Sequence, residues 1–184
     1  MKFLTDNLQK AGYINTTCAV LAIIFRISVF GRLEMIYKIE SVICIIALVF
    51  GLIYSLKGYR KDIAFYYKGF MILYSLSSFL SLFASVYDIC NGKNVLTNVV
   101  FAIIGAVVLI CALMLAFGKD LGKGKSTNLS YIVLMAGTIK VLWNIVMGDS
   151  IIYSSASYAY LIQAFIVCVL VSQKYLDKKE RGTK

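Results

Sequence analysis

Six blocks of apolar residues run along the chain, separated by short polar connections: about 12–30, 39–56, 69–87, 95–117, 129–147 and 151–171. A helix needs about 20 predominantly apolar residues to cross the hydrocarbon core of a bilayer. Each block is close to that length, and apolar runs of this kind are the signature of membrane spans. Gly31, Gly58, Gly92 and Gly118 lie just past apolar runs, where glycine favours the end of a helix. Ser126, Thr127 or Asn128 can cap the fifth helix, and Asp149 or Ser150 the sixth. The fifth and sixth blocks are joined by a very short turn, which requires an antiparallel hairpin. The pattern predicts an all-α integral membrane bundle of six antiparallel transmembrane helices. It forms one domain over 1–184 and ends in a basic tail, 172–184.

Composition agrees with lipid as the solvent. Hydrophobic residues make up 60% of the 184, and charged residues only 15%. The mean hydropathy is +0.82. A soluble fold of this size has too little interior to hide so much apolar surface. Proline is absent, so the spans should be regular and free of sharp kinks. The first run contains Arg26 and is followed by no A-x-A-like cleavage site, so it reads as a retained span and not as a signal peptide. The five cysteines are single and far apart, and there is no histidine. Neither a zinc site nor any other metal or cofactor site is expected from that inventory.

Charge adds an orientation. Fourteen of the 19 lysines and arginines fall in the N-terminal segment, the second-to-third and fourth-to-fifth connections, and the tail. Arg32, Lys38 and Lys93 are the three on the other side, while Arg26 and Lys140 lie within spans. Short loops rich in lysine and arginine stay cytoplasmic. Both termini are therefore expected inside, in the plasma membrane. The net charge of +10 is divided among loops between spans, so nucleic acid is not an expected partner. The expected partners are the bilayer and anionic lipid headgroups at the cytoplasmic face. Each helix pair ends in a basic stretch near a 60-residue spacing, compatible with three stacked hairpins.

Candidate chemistry comes from polar residues placed where lipid would penalise them. Lys140 sits mid-block. A lysine there costs about +2.5 to +3.5 kcal/mol, which largely offsets the roughly −4 kcal/mol contributed by the leucine, isoleucine and valine residues of the same block. Asn144 follows one turn later on the same face. That face should meet protein or water. Arg26 lies one turn inside the far end of the first span, where it can pair or snorkel. Glu34, Glu40, Asp88 and Asp149 gather at the same level and are the expected partners of Arg26 and Lys140. Ser77, Ser81 and Ser85 form a stripe along the third span that ends at Asp88. Such a stripe serves close helix packing or lines a solute site. Its packing partner is Ala102, Gly105, Ala106, Ala112 and Ala116 of the fourth span. The outer half of the sixth span is polar and includes Tyr158. Asn15 is expected at headgroup depth without a special role.

The segment 118–127 imitates a phosphate-binding loop. The position five before Gly124 is Lys119 instead of glycine, and the segment follows a membrane helix instead of a strand, so nucleotide binding is excluded. Lys123, Lys125 and the start of the fifth helix are instead candidates for holding a lipid phosphate. No histidine, carboxylate pair or nucleophile with an evident base points to catalysis, and the chain is not expected to be an enzyme.

Two functions follow. One is a small-solute or ion binding or transport component with an outward-facing polar site formed by Lys140, Arg26, Asp88, Asn144, Ser81, Ser85 and Tyr158. The other is a non-catalytic scaffold or accessory subunit whose charges only pair to order the helices. In size and topology the chain resembles the substrate-binding subunits of energy-coupling-factor vitamin transporters. That likeness is architectural and carries no motif. It implies an outward-facing solute site and a membrane partner subunit.

Overall fold

A computed structural model describes residues 8–56, 64–117, 123–147 and 151–181. Its elements are all helical: α1 Leu8–Val29, a 3-10 turn Phe30–Arg32, α2 Met35–Leu56, α3 Ala64–Cys90, α4 Val95–Phe117, α5 Lys123–Val146 and α6 Ile151–Arg181. Every helix except α4, which coincides with its block, starts before or ends after its apolar block, because a helix continues past the hydrocarbon to keep its backbone groups paired. Thus α5 begins at Lys123, and Asn128 lies inside it instead of capping it. Among the described residues, five helices are long and apolar enough to cross a membrane, over Gly12–Arg32, Met35–Tyr54, Phe65–Cys90, Val95–Phe117 and Asn128–Val146.

Each helix packs on the next in sequence, and α6 returns to pack on α1, so the six close into a ring. Neighbours of this length joined by such short connections must run antiparallel. One end of the ring, the terminal end, starts α1 and finishes α6. The opposite end is called distal. The helix α6 also crosses to touch α2 and α3. This explains its polar sequence: with protein on several sides, Ser154, Tyr160 and Gln163 are buried and need not face lipid.

The distribution of polarity is inverted relative to a water-soluble bundle. Arg26, Asn15, Ser41, Ser154 and Gln163 are almost completely buried, whereas Ile27, Ile103, Ile110 and Leu142 are more than half exposed. Apolar side chains outside and polar ones within is what lipid selects, since it offers no hydrogen bonds.

The α3–α4 turn shows how sequence stops a helix. Gly92 has φ 70°, and its N–H donates to Ile89 O at 3.0 Å while Lys93 N–H donates to Asp88 O at 2.9 Å. This is the glycine C-cap that the position of Gly92 predicts. Gly58 and Gly118 lie outside the described residues. In the terminal half, a Cβ on Gly51 would come within 3.1 Å of Phe70 and 2.8 Å of Gln163, and one on Gly69 within 2.5 Å of Phe50. Glycine at these positions permits the close helix approach.

Candidate functional site

A cavity of about 120 Å³ opens inside the ring, in its distal half, and all six helices line it. By liquid volume that is room for roughly four waters at about 30 Å³ each. Arg26 comes from α1, Glu40 from α2, Ser77, Ser78 and Ser81 from α3, Gly105 from α4, Lys140 and Asn144 from α5, and Ser157 and Tyr160 from α6.

Two cations and one carboxylate sit on this wall. Arg26 is 1% exposed. It donates through Nη1 to Ser41 Oγ at 3.2 Å, and its guanidinium lies 5.9 Å from the centre of the Tyr160 ring. Lys140 donates through Nζ to Ser81 Oγ at 2.5 Å, and Nζ lies 5.2 Å from the centre of the Phe101 ring. Phe101 and the serine stripe therefore hold the lysine head group inside the bundle. This is the polar surrounding that an intramembrane lysine requires.

The serines are oriented by their own helix. Ser77 and Ser78 both donate to Tyr74 O at 2.9 Å, so what they offer the cavity is lone pairs. On the same wall, the buried Tyr160 hydroxyl lies beside Ser77, and Asn144 Oδ1 is buried and has no hydrogen-bond partner. Buried polar atoms are rarely left this way in native folds. Toward the terminal end, the rings of Tyr74 and Tyr160 lie 5.0 Å apart and tilted by 55°, with Phe70 at 6.2 Å from each. Below this trio Gln163 Nε2 donates to Leu48 O at 3.3 Å, while Gln163 Oε1 and both amide atoms of Asn15 are buried without partners.

Of the residues expected to form the site, Lys140, Arg26, Asn144 and Ser81 meet at the cavity, joined by Ser77 of the serine stripe and Gly105 of the fourth span. Ser85 is buried but donates to Ser81 O at 3.0 Å and does not line it. Asp88 belongs to the distal surface. Its carboxylate accepts from the Tyr37 hydroxyl at 3.4 Å and lies 3.7 Å from Lys93 Nζ, which also pairs with Glu34 at 3.6 Å. Tyr158 faces outward at 39% exposure. Glu40 is the one expected acid that reaches the cavity, and Asp149 lies outside the described residues. Lys125 is exposed, and the Lys123 side chain lies outside the described set. Sequence reasoning missed Tyr74, Ser41 and the pairing of Lys93 with Glu34 and Asp88. It also gave Asn15 no role, whereas the structure buries it fully. Among the described residues no cluster of histidine, cysteine, aspartate or glutamate is suited to a metal ion.

No protein-family model matches the chain, and no curated protein or solved structure matches it. The likeness to vitamin-transporter subunits therefore gains no support from these comparisons. What class the fold defines is a multi-pass helical membrane protein with a polar interior.

Proposed function

We propose that this chain is a binding or transport component for a small solute, with the ring cavity as its site. In this reading α6 is the sixth span, both termini are cytoplasmic, and the distal mouth faces outward across the plasma membrane. The basic residues at the terminal end support that orientation and the contact with anionic headgroups there. Lys125, and Lys123 with it, would lie at the phosphate level. A membrane partner subunit is compatible with the exposed apolar helix faces.

One observation carries the reading. Two basic side chains line a cavity together with the buried, unpartnered Asn144 Oδ1. A bundle needing charge only to order its helices would close around its ion pairs. The scaffold reading draws on the contacts of Arg26 with Ser41 and of Lys140 with Ser81, which fix helix order by themselves. Catalysis is not proposed, although Ser81 and Lys140 touch. Both are mid-helix, where backbone N–H groups are already bonded to carbonyls four residues back, so none is free to stabilise an oxyanion. A serine-reactive phosphonate is expected to leave Ser81 unlabelled.

The test is thermal unfolding of the detergent-purified protein against a broad panel of small solutes. A ligand at 100 times its Kd stabilises by about 2.7 kcal/mol, a rise of roughly 5–10 °C for a chain of this size. The expected result is such a rise for the parent and none for a folded Lys140→Met variant. No rise with any solute leaves the scaffold reading standing.

A further inference from the structure

This inference rests on the binding reading above and names its ligand. From the chemistry of the cavity wall we infer that the solute is a small carboxylate anion bearing a hydrogen-bond donor next to the acid, the pattern of 2-hydroxy acids.

The wall has two chemically distinct parts. With both bases protonated, Arg26 and Lys140 outnumber Glu40, and the lining then carries an excess positive charge. A cationic solute meets repulsion there, and a neutral one leaves the excess uncompensated in a low-dielectric setting. An anion restores neutrality, and a carboxylate accepts charge-assisted hydrogen bonds from ammonium and guanidinium groups. The rest of the wall is rich in acceptors. Ser77 and Ser78 spend their protons on Tyr74 O, and Asn144 Oδ1 is buried with nothing donating to it. A bare anion would leave that acceptor unsatisfied, and leaving a buried acceptor unpaired is costly. Asn144 lies one turn beyond Lys140 on the same helix face, and both line the cavity. A donor adjacent to the carboxylate therefore reaches Asn144 while the carboxylate faces Lys140. The cavity of about 120 Å³ suits a solute of a few heavy atoms.

The chain carries its own reporter. Its single tryptophan is Trp143, beside Asn144 and less than one turn from Lys140. Trp143 fluorescence is followed while the unmodified protein is titrated with lactate, alanine, propionate, 1,2-propanediol or 1-amino-2-propanol. Lactate should give a saturable change, and alanine, a zwitterion with no net charge to offset the excess, should give none. Propionate lacks the donor and should bind at least about tenfold more weakly, a difference of about 1.4 kcal/mol. The diol and the amino alcohol lack the carboxylate and should give none. Lys140→Met should abolish the response, and Asn144→Leu should bring lactate and propionate to similar affinities. Binding of the diol or the amino alcohol as tightly as lactate would overturn the ligand class while leaving the binding reading intact. Equal affinity for propionate and lactate in the parent would remove the donor requirement and with it the proposal. Silence toward the whole panel also overturns the proposal, and the broader thermal screen then decides whether any solute binds.

Discussion

The two halves of the ring are built from the same six helices and differ in what fills them. In the terminal half, Phe70, Leu48, Met71 and Val167 are completely or almost completely buried, and Gly51 and Gly69 admit neighbouring side chains to distances a Cβ would forbid. In the distal half, charged and hydroxyl side chains face a cavity. Lipid solvates apolar side chains as well as a protein core does, so a membrane bundle closes by packing and not by expelling water. The terminal half is closed in that way. Both halves bury unpaired polar atoms, Asn15 and Gln163 Oε1 in the terminal half and Asn144 Oδ1 in the distal, but only the distal half sets them beside a cavity, where water or a ligand can complete them.

The largest effect on this contrast should come from Arg26→Met. Arg26 is buried with Glu40 on the same wall and donates to Ser41. Removing one member of a buried charge set costs about 3–5 kcal/mol, and each kcal/mol is worth roughly 2–4 °C here. The melting temperature should fall by about 10 °C or more. A variant that melts with the parent would show that the distal charges do not hold the helices.

A smaller loss is expected from Gly51→Leu, which overpacks the terminal half against Phe70 and Gln163 at a cost of about 1–3 kcal/mol. Its counterpart is Gly105→Ala in the distal half. There a Cβ meets Leu82 at an ordinary 3.5 Å, and stability should change by less than about 0.5 kcal/mol. Equal melting temperatures for the two variants would erase the difference in packing between the halves. The smallest effect belongs to Lys93→Ala on the distal rim. Lys93 is 54% exposed and its two partners lie at 3.6 and 3.7 Å, so the loss should be about 0–1 kcal/mol and should shrink further in high salt.

Lys140 was legible in the sequence because its insertion cost demanded a polar surrounding, and the structure supplies Ser81 and the cavity. Asp88 was drawn into the same group by depth alone. Its partner Tyr37 is 51 residues away, and local spacing carries no signal of such a contact. Tyr158 and Tyr160 illustrate a loss of register. Two positions apart, at about 100° per residue, they point to nearly opposite sides of α6. The polarity of that segment announced an inward face without saying which tyrosine occupied it. The burial of Asn15 was not legible because it comes from α1 packing on α6, a contact between the two ends of the chain. The closing of the ring by α1 and α6 is the feature that joins the two ends of the chain, and no periodicity within either helix reveals it.

The central claim is that the cavity communicates with the aqueous phase opposite the termini. Ser78 lines it, and Ser78→Cys in a chain whose own cysteines are replaced gives a single thiol there. In intact cells, a membrane-impermeant maleimide added outside should modify that thiol. Modification only when the reagent is supplied from the cytoplasmic side, or from neither side, would contradict the account.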